Sequence, residues 1–336
     1  MLSYAYGLCL RTSHPVPGLV SASDNQFVDA EVFLGGLPTW AAASEAECPW
    51  YTSPAKTTNG IPTLQVWKLV SGEFYKFRYS DDTEFLIDRQ GARVWCAWPD
   101  NLTLEDTATY LLGPVMGFVL LLRGTICLHA SAIAVGDRAI AIAGFAEAGK
   151  STTAATFAKL GYPVLADDVV TLQEFEGNFL VQPAYPSIRL WPDSVEALYG
   201  SLDALPRITP TWDKRYLDLA RGDNQFHHQP LPLAAIYVLG DRVSDPTAPR
   251  VEKLKPNQTM LSLVGNTYVN YLLNCRMRAR NFETLRSVMV GVHIRRVVPH
   301  SDHERRQQLC ETILADFAAS SQTLPNTYHP MMQSGT

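Results

Sequence analysis

The stretch Gly144-Phe145-Ala146-Glu147-Ala148-Gly149-Lys150-Ser151 constrains this chain more than any other part of it. It matches G-x-x-x-x-G-K-[ST], a pattern that functions only between a strand and a helix. Both flanks are present. Residues 138–143, RAIAIA, read as a strand returning from the Gly136-Asp137 turn, and the Ala- and Thr-rich run TTAATFAKL after the loop reads as a helix stopped by Gly161. In that setting the backbone N–H groups of Glu147, Ala148, Gly149, Lys150, Ser151 and Thr152 face a concavity that favours phosphate charge. Gly144 and Gly149 let the backbone approach closely. Lys150 is expected to reach the β- and γ-phosphates as a compact cation, and Ser151 to place its hydroxyl on Mg2+. The Glu147 side chain should turn away, since its charge repels phosphate.

Phosphate chemistry also needs carboxylates, and the run 162–172, YPVLADDVVTL, carries Asp167 and Asp168 side by side. A carboxylate on a nearby strand end holds Mg2+, often through water, and a kinase needs a group that accepts or orients the hydroxyl proton. Neighbours on an extended strand point to opposite sides, so both reach one metal only if the strand ends there. The plainer reading is one ligand and one solvated or capping Asp. His129 sits inside the apolar strand 126–135, ICLHASAIAV, which a turn at Gly136-Asp137 joins to the strand feeding the loop. It reads as a core histidine, or as a group that orients a carboxylate or binds phosphate. Arg189, and Lys214 with Arg215 in a Pro-rich region over 201–232 that reads as a loop over a surface or cleft, are either cleft cations that offset transition-state charge or solvated side chains.

The remaining chain frames this region. At roughly 150 residues per domain, 336 residues make about two domains. Residues 1–98 read as a β-rich module with a hairpin point at Ser71-Gly72. A helix is expected from a Thr103/Asp106 capping box to about Leu121, loosened at Gly113, Pro114 and Gly117 and stopped by Gly124. Further helices are expected over 192–198, 259–275 and 281–290, and from a Ser301/Glu304 box to Phe317. The division is then 1–98, 99–317 and a polar, disordered tail over 318–336. The most apolar run, Tyr110–Leu122, has 13 residues, short of the ~20 of a membrane span, and no signal peptide is read at the start. Formal net charge is -5, which argues against broad nucleic-acid binding. Six scattered cysteines without a CxxC fit a reducing cytoplasm.

The run from Leu128 through Arg189 resembles the catalytic domain of the HPr serine kinase/phosphorylase family, and is most similar to its smaller relatives, including kinases of lasso-peptide biosynthesis. The resemblance rests on His129 in an LHAS strand, the loop Gly144–Ser151, and Asp167 with Asp168; IRLWP and TWDKRYLDL also resemble stretches of those smaller relatives. It implies an α/β fold with a mixed sheet in a P-loop domain, plus the small β-rich N-terminal module. It implies phosphoryl transfer from ATP, with Mg2+, to a serine hydroxyl. Asp168 is then the catalytic base, Asp167 supports the metal and His129, and Lys150 acts on the phosphates. Arg189 and Lys214 are implied to bind phosphate. The later arginine-glycine signature of the bifunctional members is missing in its usual form. The expected partner is therefore a serine-bearing peptide, such as a lasso precursor, or small protein, with neither nucleic acid nor a membrane. A homo-oligomer stays open, as do an ATPase and a kinase of another small hydroxyl substrate.

Overall fold

The computed structural model describes residues 1–22, 27–42, 48–221 and 225–321. Its first sheet contains β1 (Leu2–Ala5), β2 (Leu8–Thr12), β3 (Ala30–Leu34), β4 (Tyr51–Thr52), β5 (Leu64–Leu69), β6 (Phe74–Tyr79), β7 (Glu84–Asp88) and β8 (Arg93–Ala97). They run in the order β1-β2-β3-β8-β7-β6-β5-β4, with the short α1 (Thr39–Ala42) between β3 and β4 in sequence. Ser71 at φ 54° and Gly72 at φ 89° turn β5 into β6, as that pair predicts.

Next come α2 (Leu104–Tyr110), a wide turn at Leu111–Val115 and α3 (Met116–Arg123). Thr103 and Asp106 do form a capping box. The helix breaks where Gly113 leaves helical geometry ahead of Pro114, which cannot donate to the preceding turn. Gly124, at φ 91°, ends it. The stretch Leu104–Arg123 is long and apolar enough to cross a membrane, and its apolar window is 78% buried inside the protein. Phe118 meets Tyr75 and Phe77 of the first sheet edge to face, and shares a core with Ile126 and Leu128 of the second. The two sheets therefore lie over one continuous core.

The second half follows as β9 (Ile126–Val135), β10 (Arg138–Ala143), α4 (Lys150–Lys159), β11 (Val164–Ala166), β12 (Val169–Phe175), β13 (Asn178–Val181), β14 (Ser187–Leu190), α5 (Pro192–Tyr199), β15 (Arg215–Asp218), β16 (Leu231–Leu239), β17 (Arg250–Lys253), α6 (Pro256–Gly265), α7 (Cys275–Gly291), β18 (His293–Val298) and α8 (Arg306–Ser321). The second sheet runs β10-β9-β12-β13-β16-β18-β17, and an added β10–β16 pairing closes five of these strands into a small barrel. The sheet is mixed, since β10–β16 and β16–β18 are parallel and the other pairs antiparallel. The alternation of β10 explains its place. Ala139, Ala141 and Ala143 join the core shared with the first sheet, while Ile140 and Ile142 pack with Phe157 of α4 on the other face.

Several expectations need correction. The run 162–172 is not one strand: it breaks at Asp167-Asp168 between β11 and β12. The region 201–232 is not all loop: it contains β15, a four-residue strand paired with β14 and too short for a periodic signal. The helix expected over 259–275 stops at Gly265, and the next starts at Cys275. Ser301 does not cap the last helix. Asp302 accepts the Glu304 N–H at the head of the short turn His303–Arg305 that precedes α8, while Ser301 Oγ meets Ser244 Oγ at 3.0 Å. That helix continues to Ser321, so 318–321 are helical rather than tail, and the rest of the expected tail lies outside the described residues. All six cysteines are free; Cys48 and Cys275 are exposed.

Candidate active site

The loop after β10 is shaped by backbone that few residues tolerate. Gly144 takes φ 156° and Gly149 φ 104°, and Glu147 adopts φ 64°. A Cβ on Gly144 would come 3.0 Å from Ala148 Cβ, so the loop closes on itself there. Asn266 Oδ1 holds the Gly144 N–H at 2.9 Å. Lys150 opens α4 and is buried. Its Nζ donates to the carbonyls of Gly144 (2.9 Å) and Phe145 (3.0 Å). The ammonium thus spans its own loop, and reaching a phosphate means exchanging these two acceptors. Burial pushes its pKa down, and the charges of Asp168 and Asp167 push back.

Across from the loop, β11 and β12 both run antiparallel to β9, and the two aspartates fill the gap between them. The Asp167 carbonyl accepts the Val169 N–H at 2.9 Å across Asp168, whose φ is 71°. This is a three-residue turn of the rare hand. It sends the two carboxylates to different partners. Asp167 is buried, accepting Ser131 Oγ at 2.7 Å and the Arg189 N–H at 3.2 Å, and the Ser151 hydroxyl also reaches it. Asp168 meets His129 Nε2 at 3.3 Å and accepts the Tyr268 hydroxyl at 2.9 Å. Burial, with the charge of Asp168, raises the Asp167 pKa against the pull of Ser131. Burial also pushes Asp168 up, but hydrogen bonding and charge from His129, then Arg189 and Tyr268, hold it well below the usual carboxylate range.

His129, Asp167 and Asp168 line one cleft of about 1100 Å³, with Ala146 to Thr153, Arg189, Trp191 and Lys214 on its walls. Arg189 Nη1 donates to the Thr109 carbonyl at 3.2 Å, and its guanidinium lies 5.7 Å from the Tyr185 ring centre. The Lys214 ammonium sits 4.9 Å from the Trp191 ring centre. Thr152 Oγ1 is spent on Ser194 Oγ at 2.8 Å, tying α4 to α5. Gly144 lies behind the cleft wall, buried. Arg215 is turned away: it is 5% exposed and donates to the carbonyls of Leu202 and Asp213. The oxygen donors fit a hard cation, since the Ser151 hydroxyl and Asp167 carboxylate adjoin. Among the described residues no group of three or more His, Cys, Asp or Glu gathers to hold a metal. Magnesium at Ser151 and Asp167 would therefore take its other ligands from water and phosphate oxygens.

No family model matches this chain, and no curated protein sequence matches it. Among solved structures it is similar to the Hpr(Ser) kinase/phosphatase from Coxiella burnetii. That match covers 59% of this chain and 93% of the other, at 13% identity and a TM-score of 0.32, which is a distant likeness.

Reading the sequence missed Tyr268, Asn266 and Ser131. The segment 266–268 pairs with the free edge of β9 beside His129: the His129 N–H donates to the Asn266 carbonyl and the Tyr268 N–H to that of Cys127. That long-range pairing overrides the helical period expected there, and it delivers both side chains to the site. Gly117 makes room for the ring, because a Cβ there would sit 2.5 Å from Tyr268 Cδ1. Ser131 was within reach of sequence reasoning. It lies two residues after His129 on a strand, hence on the same face.

Proposed function

We propose that this chain is an ATP- and Mg2+-dependent kinase that transfers the γ-phosphoryl group to a serine hydroxyl of a precursor peptide. One observation carries the reading. A G-x-x-x-x-G-K-S loop at the start of a helix shares a cleft with two adjacent carboxylates that have different partners and oppositely shifted acidities. Pairs pushed apart in this way mark a division of labour.

The assignments follow from the contacts. Asp167, buried against Ser131 and Ser151, is the metal-side carboxylate. Asp168, 31% exposed at its side chain, is the one open to an acceptor. The acceptor oxygen bonds to the γ-phosphorus, the bond to the β–γ bridging oxygen breaks, and ADP leaves with that electron pair. The hydroxyl proton goes to Asp168. A carboxylate of such low basicity takes it late, once the hydroxyl has been made acidic by bond formation to phosphorus. His129 and Tyr268 fix the carboxylate's orientation. Bound magnesium would neutralise charge on the β- and γ-oxygens.

The test is Asp168→Asn, which keeps the size and tolerates the positive φ. Incubation with ATP, Mg2+ and the peptide encoded beside this chain, read by mass spectrometry, should show a phosphate-sized gain on one serine for the wild type. The variant should bind ATP as before and transfer about 10²–10⁴-fold more slowly. Normal transfer by the variant would remove Asp168 from the role of base.

A further inference from the structure

The cleft carries a second group of charges that the phosphoryl-transfer reading does not use. Arg242 follows β16 and lies over the start of α4. A Cβ on Gly149 would come within 2.9 Å of its Nη2, which stands 3.5 Å from the Ala148 carbonyl. Arg306 opens α8, and its Nη1 donates to the Ala197 carbonyl of α5 at 3.3 Å. Both line the same cleft as the loop. Among the described residues, neither has a carboxylate oxygen within 4.0 Å.

Two guanidiniums placed this way work against each other. Burial first, and then the charge of Arg242, hold the Arg306 pKa below its ordinary value, while Asp302 pulls weakly the other way. Such an arrangement is unfavourable until an anion joins it. Its position in the fold is consistent with that. β10, β16 and β18 are parallel, and the loop, Arg242 and the Pro299–Arg306 segment all follow their carboxyl ends, where open α/β sheets collect ligands. The first amides of α4 add positive potential beside Arg242.

We propose that Arg242 and Arg306 form a second phosphate seat in this cleft, filled by the donor phosphate nearest the nucleoside. The assignment of that anion to a nucleotide rests on the kinase reading above. The seat makes the donor's length matter: a nucleoside triphosphate spans loop and seat, whereas pyrophosphate fills the loop alone.

Titration calorimetry at fixed ionic strength with Mg2+ tests this on the full chain, using ATP, pyrophosphate and inorganic phosphate as probes. Arg242→Gln and Arg306→Gln should each weaken ATP about ten-fold, the scale of a charge-assisted hydrogen bond. Pyrophosphate should change by less than about two-fold, as for a distant surface charge. Because Arg306 begins a helix, Arg306→Lys provides a folded control and should recover most of the ATP affinity. Equal losses for ATP and pyrophosphate would overturn the placement. So would unchanged ATP affinity combined with inorganic phosphate stabilising the ATP-saturated wild type alone, since the seat would then hold a separate phosphate. If the wild type binds no ATP, the nucleotide reading itself fails; if it binds ATP and both variants match it, only the seat fails.

Discussion

Tyr268→Phe removes one oxygen and little else. The ring stays clamped on α3 at Gly117, and the hydroxyl's hydrogen bond to Asp168 Oδ2, 2.9 Å long, is lost. The His129 contact to the other carboxylate oxygen, at 3.3 Å, remains. A hydrogen bond to a charged group is worth about 1.5–3 kcal/mol net. The Asp168 side chain is 31% exposed, so water recovers part of this, and the lower end, ~1.5 kcal/mol, is expected. At 1.36 kcal/mol per unit, that raises the folded-state pKa of Asp168 by about one unit. The sign follows from its direction. Asp168 is depressed in the folded state, so it adds stability above its unfolded pKa of ~3.9, lost as pH falls through the folded value. The gap between wild type and variant is therefore full at neutral pH. It narrows only in strong acid, below the variant's raised folded pKa. Urea midpoints at neutral pH and at successively lower pH read this out directly. A gap of equal size at every pH would mean that the hydroxyl does not act through the carboxylate, and no gap at all would mean the contact contributes nothing.

Two further substitutions probe the same frame. Gly117→Ala gains about 1 kcal/mol of helix propensity but drives its Cβ to 2.5 Å from the Tyr268 ring, which costs about 1–3 kcal/mol, so denaturation should show a net loss of up to ~2 kcal/mol and phosphoryl transfer should fall with it. Tyr6→Phe deletes the buried hydroxyl that donates to the Leu112 carbonyl at the helix break, with Tyr6 packed edge to face on Tyr185. It should cost about 1–3 kcal/mol and lower kcat while leaving KM for ATP unchanged; an unaltered kcat would mean the first sheet does not brace the site.

The parts of this fold that sequence reading recovered are those whose signals are local. β9 and β10 begin and end where their apolar runs and the Gly136-Asp137 turn place them, and α4 stops just before Gly161, at φ 87°. The loop and the aspartate pair are visible because their chemistry lies in consecutive residues. The rest of the site depends on pairings that no local window contains. Tyr268 reaches Asp168 because residues 266–268 extend along β9, 100 positions from the carboxylate in sequence terms. Arg242 and Arg306 line one cleft because β16 and β18 are parallel and end on the same side. β15 escapes notice because four residues are too few to show a period.

The backbone at Asp168 gives a separate reason to assign function to its side chain. A non-glycine residue at φ 71° in a three-residue turn is strained, and at about 1–2 kcal/mol glycine would relieve most of that cost. Asp is better tolerated there than most residues, yet its side chain does not relieve the turn, because its oxygens bond to His129 and Tyr268 rather than to nearby backbone. The strain is therefore maintained by contacts from β9 and from the segment after α6, which hold the carboxylate open to the cleft. Without the turn, β11 and β12 would be one strand, and the two carboxylates would face opposite sides of it. The break brings both to the same cleft with unlike partners, one sunk among Ser131, Ser151 and the Arg189 N–H, the other half-exposed. Two identical side chains, adjacent in sequence, are made chemically different by one unfavourable dihedral, and that difference is what the proposed division into metal carboxylate and base would require.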